Sequence, residues 1–147
     1  MIGAIMSLTP FIEVLHRKNL KATAQRIEIL KILTKSRTHP TAEEVYGQAK
    51  LKFPTISPAT VYKTIQALKE AGKVQELAFY EKKTRFDGNV QPHINALCVK
   101  CGKIEDVIDP KVEEFIQHFS GKLTYKIESQ RIDFYGTCSD CQKRTRR

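Results

Sequence analysis

The sequence predicts an α+β chain, with a winged helix-turn-helix domain at its N-terminus and a small α/β domain at its C-terminus. Three observations carry this. The first half reads as successive helices with start signals, closed by two short strand-like runs. Composition changes at "DGNVQP", where Asp87-Gly88 and Pro92 mark a linker. Beyond it, short alternating runs flank a single helix, and all four cysteines fall in that part as two CxxC pairs. The expected boundaries are residues 1–86 for the first domain, 87–92 for a hinge and 93–147 for the second.

Thr9 followed by Pro10 is a start signal, a cap and then a proline whose missing N–H costs nothing in the first turn. Phe11, Val14 and Leu15 follow at helical spacing. Thr23 opens a second helix through Ile27, Leu30 and Leu33, and Thr41-Ala-Glu-Glu44 is a capping box opening a third through Val45 and Ala49. In "SPATVYKTIQALKEAGKV" Ser57 caps, Pro58 takes the first position and Gly72 ends the helix. Val61, Ile65 and Leu68 form its buried stripe with Thr64 and Ala71 beside them, while Tyr62, Lys63, Gln66, Lys69 and Glu70 face the other way. Val74 to Tyr80 and Thr84 to Phe86 then read as strands of a hairpin around Glu81-Lys-Lys83.

In the second half His93 to Val99 and Lys103 to Ile108 read as strands. A helix begins at Pro110 and carries Val112, Phe115, Ile116 and Phe119 on one face. Ile127, Ser129, Arg131 and Asp133 alternate with Glu128, Gln130, Ile132 and Phe134 as an extended run. The two cysteine pairs are the only internal repetition.

A formal charge of +9 and a pI near 9.5 favour a polyanionic partner such as nucleic acid or an anionic membrane. Lys143, Arg144, Arg146 and Arg147 read as a solvated tail, but the chain without those four charges is still basic. The opening "MIGAIMSL" lacks a basic n-region and is too short to span a bilayer or serve as a signal core, so a cytoplasmic protein is expected, started at Met1 or Met6.

Cys98-Val-Lys-Cys101 and Cys138-Ser-Asp-Cys141 each form a turn that aims two thiolates at one point, and two such turns complete the tetrahedron zinc prefers. Four thiolates leave no position open for a substrate, so the expected site is structural; redox or unpaired thiols are the alternative. His93 and Asn95 stand two apart in a strand, so both side chains project to one face. Asp87, Asp106 and His39 supply further ligands, and a mixed nitrogen and oxygen set suits Fe²⁺, Mn²⁺ or Zn²⁺. Spacing does not bring these residues together. Tyr62, Lys63 and Gln66 suit DNA bases and phosphates, helped by Lys82, Lys83 and Arg85 in the hairpin, although a polar helix face is also what solvent selects.

The segments "LKATAQRIEIL", "HPTAEEVY", "FPTISPATVYKTIQALKEAGKV", "TRFDGN", "PHINALCVKCGKIEDV" and "YGTCSDC", in this order from Leu20 to Cys141, resemble the ferric uptake regulator (Fur) family. The resemblance implies a winged-helix DNA-binding domain, a hinge and a dimerisation domain, with a homodimer reading palindromic double-stranded operator DNA. It places structural zinc on Cys98, Cys101, Cys138 and Cys141. It places a regulatory metal on His39, Asp87, His93, Asp106 and the position of Asn95. DNA contacts fall on Lys21, Tyr62 and Lys63, with Lys21 near a minor groove. One metal held by both domains would then clamp them for DNA. The two histidines and two aspartates, with aspartate at 106, are most similar to the peroxide-responsive regulator (PerR) branch. There, Fe²⁺ reacts with hydrogen peroxide, a histidine ligand is oxidised and the repressor leaves DNA, which makes His39 and His93 the oxidation targets.

Asn95 is the departure, because the family usually has a third histidine there. An amide offers a neutral carbonyl oxygen, a weaker donor than imidazole. Gln130 stands where a further family metal site often has a histidine, so no such site is expected. The expected protein is a metal-dependent repressor that senses peroxide and is not an enzyme, with no membrane partner or organic cofactor. An iron- or zinc-availability regulator with a reversible metal corepressor is the alternative. A zinc hydrolase would need an open coordination position and a general base. A zinc-ribbon module for protein partners would not bind duplex DNA in a salt-dependent way.

Overall fold

The computed structural model describes residues 7–78 and 83–145, and the chain divides into two units, Met1–Val90 and Gln91–Arg147. The first holds α1 (Thr9–Arg17), α2 (Ala24–Lys35), α3 (Ala42–Lys52), α4 (Pro58–Glu70), β1 (Gln75–Leu77) and β2 (Arg85–Asp87). Three of the four helices start as their caps predict. Thr23 accepts from Arg26 N–H, Ser57 accepts from Thr60 N–H, and Thr41 and Glu44 form the reciprocal capping box. At α1 the N-cap is Leu8 rather than Thr9, because the Leu8 carbonyl already accepts from Ile12 N–H at 3.0 Å. Thr9 therefore lies inside the first turn, and Ser7 Oγ accepts from its N–H at 3.3 Å.

Phe11, Val14 and Leu15 pack with Ile29, Leu30, Leu33, Val45, Ala49, Val61, Ile65, Leu68, Val74 and Phe86 in one core. Burying such side chains is worth about 1.5–3 kcal/mol each before conformational entropy is counted. Ala67, not the exposed Ala71, completes the α4 stripe beside Thr64, whose hydroxyl donates to the Thr60 carbonyl at 2.7 Å. Gly72, at φ 67, takes the left-handed position after the helix.

β1 and β2 are antiparallel, with Gln75 opposite Asp87 and Leu77 opposite Arg85. β1 ends at Leu77, short of the predicted run, and β2 has the predicted length but is shifted by one residue to include Asp87, which the sequence placed in the linker. The hairpin tip with Tyr80 and Lys82, and also Met1, Met6, Arg146 and Arg147, lie outside the described residues. Beyond β1, β2 has a second neighbour: Arg85 bridges to Thr41, and Phe86 N–H donates to the Pro40 carbonyl at 2.9 Å.

The second unit holds β3 (Ile94–Cys98), β4 (Ile104–Val107), α5 (Pro110–Ser120), β5 (Ile132–Gly136) and α6 (Ser139–Thr145). Its sheet runs in the order β4-β3-β5, with β3 antiparallel to β4 and parallel to β5. The connection between β3 and β4 is tight, with Gly102 at φ 73 donating its N–H to the Cys98 carbonyl at 2.8 Å. A parallel pair needs a long crossover, and α5, capped by Asp109, supplies it. The run predicted from Ile127 is strand only from Ile132 onward, since only there does the register with β3 hold. Lys143 and Arg144, read as a solvated tail, lie in the last turn of α6, where cations offset the helix dipole. Phe115, Phe119, Leu123, Tyr125, Phe134 and Tyr135 are exposed. Among the described residues no helix is long and apolar enough to cross a membrane.

Candidate metal centres and nucleic-acid interface

One backbone pairing and one side-chain contact build the first half-site. The antiparallel bridge of Thr41 with Arg85 puts residue 39 opposite residue 87, and the Arg85 guanidinium fixes the loop by donating to the His39 carbonyl at 3.3 Å. His39 itself has φ 52, a left-handed conformation uncommon for a residue with a side chain. The consequence is a buried pair in which His39 Nε2 lies 3.5 Å from Asp87 Oδ2. The other Asp87 oxygen accepts from Asn89 N–H at 2.8 Å, which fixes the carboxylate. Gly88 follows because a Cβ there would meet the Leu33 carbonyl oxygen of α2 at 2.5 Å.

The second half-site lies in the second unit, on one face of the three-stranded sheet. Strand alternation brings His93 and Asn95 together as expected, with His93 Nε2 3.3 Å from Asn95 Oδ1. The β3–β4 register sets Asp106 opposite Asn95, and Asp106 Oδ1 comes within 3.8 Å of the same His93 nitrogen. His93 Nδ1 lies 2.7 Å from the Gln91 carbonyl oxygen. A carbonyl can only accept, so Nδ1 carries a proton, and in its neutral form the ring then turns its Nε2 lone pair toward the two oxygens. With the ring neutral, three acceptor atoms face one another, an arrangement that a proton on Nε2 or a bound cation relieves. One nitrogen and two oxygens fit a borderline or hard divalent ion such as Fe²⁺ or Mn²⁺.

The four cysteines converge. Their sulfurs all lie within 4.8 Å of one another, with Cys101 Sγ 3.7 Å from Cys138 Sγ. Cys98 closes β3, and Cys138 follows β5 and precedes α6, so the parallel pair β3–β5 ends at this cluster. Backbone N–H groups, from Cys138 first and Cys101 next, hold the Cys98 thiol down to about 6. That favours a thiolate at neutral pH, the form that binds metal. The Cys141 thiol is pushed up to about 12 by hydrogen bonding with Cys101 and then Cys138, so without a cation it keeps its proton. The set fits the tetrahedral demand of Zn²⁺.

Tyr62, Lys63 and Gln66 share the exposed face of α4, and Lys21 is exposed ahead of α2. Two carboxylates engage this face: Glu70, which the sequence placed on it, and Glu43, which had no predicted role there. The Tyr62 hydroxyl donates to Glu43 Oε1 at 3.1 Å, and Gln66 Nε2 donates to Glu70 Oε1 at 3.0 Å. Lys18 Nζ lies 2.7 Å from the other Glu70 oxygen. Hydrogen bonding to Glu43 raises the Tyr62 hydroxyl above the ordinary tyrosine value. A further residue that sequence reasoning missed is Asp133, which accepts from Asn95 Nδ2 at 3.1 Å. A signal for it exists, since Arg131 and Asp133 fall on one face of an alternating run, but only the sheet order shows that this face adjoins Asn95.

The model of the ferric uptake regulator family matches residues 17–135. The peroxide operon regulator of Bacillus subtilis (strain 168) is 36% identical over 141 residues, covering 96% of this chain and 97% of that protein. Among solved structures, the Campylobacter jejuni peroxide stress regulator is 38% identical with a TM-score of 0.73, covering 88% of this chain and 98% of that one. The Helicobacter pylori ferric uptake regulator Fur, described with three functional metal binding sites, is 25% identical with a TM-score of 0.74, covering 92% and 94%. With the family match running from α1 to β5 and the paired ligands and four cysteines in place, the chain belongs to the ferric uptake regulator family.

Proposed function

We propose that the protein is a homodimeric, metal-dependent transcriptional repressor that senses hydrogen peroxide through oxidation of His39 or His93. The observation that carries this is the trio of His93 Nε2, Asn95 Oδ1 and Asp106 Oδ1, three acceptors aimed at one another that a divalent cation would reconcile. His39 and Asp87 offer two more donors, and neither set alone satisfies an ion that takes five or six ligands. In this reading one ion takes both sets, and the two units are held in the arrangement that fits DNA. Fe²⁺, when bound, supplies the electrons that reduce peroxide, and Mn²⁺ does not. Here the residues bind, hold His93 in the Nδ1–H tautomer and present imidazole carbons beside the ion. The protein is consumed rather than turned over, so it is a sensor and not an enzyme.

Cys98, Cys101, Cys138 and Cys141 hold a structural Zn²⁺ that fastens β3 to β5. The exposed aromatic residues of α5 and β5 give the second copy an apolar face to cover. Tyr62, Lys63 and Gln66 meet operator DNA in a groove, Lys21 lies near a minor groove, and the two-fold axis matches a palindrome. Binding to chromosomal DNA places the protein in the cytoplasm. The names of similar proteins in Bacillus, Staphylococcus and Campylobacter support the peroxide reading. The Fur resemblance supports metal-availability sensing as the second reading.

Anisotropy of a labelled operator duplex tests the clamp. Saturating Mn²⁺ should tighten binding of the unsubstituted protein, while His39→Ala should weaken it even though His39 need not touch DNA. Equal operator affinity for His39→Ala at saturating metal would remove His39 from the clamp.

A further inference from the structure

Position 95 occupies the middle of a row that crosses the whole sheet. Asp106 on β4 and Asp133 on β5 both stand opposite Asn95 on β3. A carboxamide between two carboxylates has one donor end and one acceptor end, so its direction decides what each neighbour meets. The Asn95 nitrogen donates to Asp133 Oδ1 at 3.1 Å, which leaves its oxygen beside His93 Nε2. Asn95 is 1% exposed, so solvent does not compete for either end. Asp133 is itself anchored, because Oδ2 accepts from Arg131 Nε at 2.8 Å and from the Tyr135 hydroxyl at 3.3 Å.

We propose that Asp133 is a positioning residue that fixes the direction of the Asn95 amide, so that position 95 offers a metal an oxygen and never a nitrogen. This rests on reading His93, Asn95 and Asp106 as part of a metal centre. The argument is one of donor counting. Asp133 is acceptor-only, so it can pair with the amide nitrogen but not with the amide oxygen. A flipped amide would set two oxygens against each other at Asp133 and turn N–H donors toward the ion, and its one gain, a bond to the His93 Nε2 lone pair, uses the electron pair that a metal would take. The network also sets selectivity. An oxygen in place of an imidazole nitrogen makes the donor set harder, favouring Mn²⁺ and Fe²⁺ over Zn²⁺ relative to a histidine at this position.

Asp133→Asn is the informative substitution because it keeps size and shape. Arg131 Nε and Tyr135 would claim the new amide oxygen, its nitrogen would face the Asn95 nitrogen, and Asn95 would relieve the clash by reversing. The measurement is Mn²⁺ binding to the full chain with its zinc retained, followed by loss of the free Mn²⁺ electron paramagnetic resonance signal. Asn95→Ala and Asp133→Asn should each weaken Mn²⁺ binding roughly 10- to 100-fold, the range for ligands' outer partners. In the Asn95→Ala background, Asp133→Asn should add no further loss. Unchanged affinity in Asp133→Asn, or losses that multiply in the double variant, would overturn the proposal. Asn95→His should raise the ratio of Zn²⁺ to Mn²⁺ affinity about tenfold or more in competition, and an unchanged ratio would overturn the selectivity claim. Weaker binding in His93→Ala combined with no loss in Asp133→Asn sinks only the role of Asp133. No loss in His93→Ala would overturn the metal reading and the proposal with it.

Discussion

Replacing Gly88 with alanine tests how closely the Asp87 half-site is tied to the helical core. The added Cβ would lie 2.5 Å from the Leu33 carbonyl oxygen and 2.9 Å from its carbon, both backbone atoms of α2 that cannot rotate away. Reaching an ordinary contact of about 3.4 Å requires a shift of roughly 0.9 Å in the chain at residue 88 or in the end of α2. Overpacking of this kind costs typically about 1–3 kcal/mol. In a unit of this size, that lowers the thermal midpoint by roughly 5–20 °C. The shift falls one residue from Asp87, whose carboxylate sits 3.5 Å from His39 Nε2, so Mn²⁺ binding should weaken by about tenfold or more. Calorimetry of the Gly88→Ala protein and Mn²⁺ titration of the same sample provide the two readouts. A midpoint within about 2 °C of the unsubstituted protein, together with unchanged Mn²⁺ affinity, would refute the claim that α2 packing sets Asp87.

Lys63→Ala should weaken duplex DNA binding about equally for operator and unrelated sequences, and reduce the slope of log affinity against log salt by about one, as expected for one lost phosphate contact. An unchanged slope in filter binding would take Lys63 off the backbone. Stripping zinc from the cysteine cluster should loosen the β3–β5 end. The Val99 N–H, bonded to the Gly136 carbonyl at 2.8 Å, should then exchange with deuterium faster, whereas amides of α2 stay protected. Uniform exchange across both would contradict a local role for the cluster. Thr41→Ala removes one half of the capping box ahead of α3 and should cost about 1 kcal/mol in urea denaturation.

The helical half is legible because its signals are local. Thr23, Thr41 and Ser57 announce their helices within four residues, and the apolar spacing of α4 needs no partner to be read. At α1 the signal misleads by one residue, since Ser7, Leu8 and Thr9 all lie close enough to compete for the cap. Asp87 is misplaced in the linker because Asp-Gly is a turn signal, and its strand pairing depends on Gln75 twelve residues away. The cysteine cluster is legible because CxxC spacing is itself a local geometry. The pairing of His39 with Asp87 is not, because it follows from a bridge between Thr41 and Arg85 that no pattern in either segment predicts. His93 and Asn95 are readable as a same-face pair, yet Asp133 is not readable as the partner of Asn95, since a parallel strand carries no register information in its own sequence.

The central claim is tested most directly by anaerobic loading with Fe²⁺ or Mn²⁺, addition of a small excess of hydrogen peroxide, and peptide mass measurement beside DNA binding. A gain of one oxygen on the His39 or His93 peptide, with loss of DNA binding in the Fe²⁺ form alone, is the predicted result. Unmodified histidines in the Fe²⁺ form, with DNA binding set only by metal concentration, would contradict it and leave a metal-availability regulator.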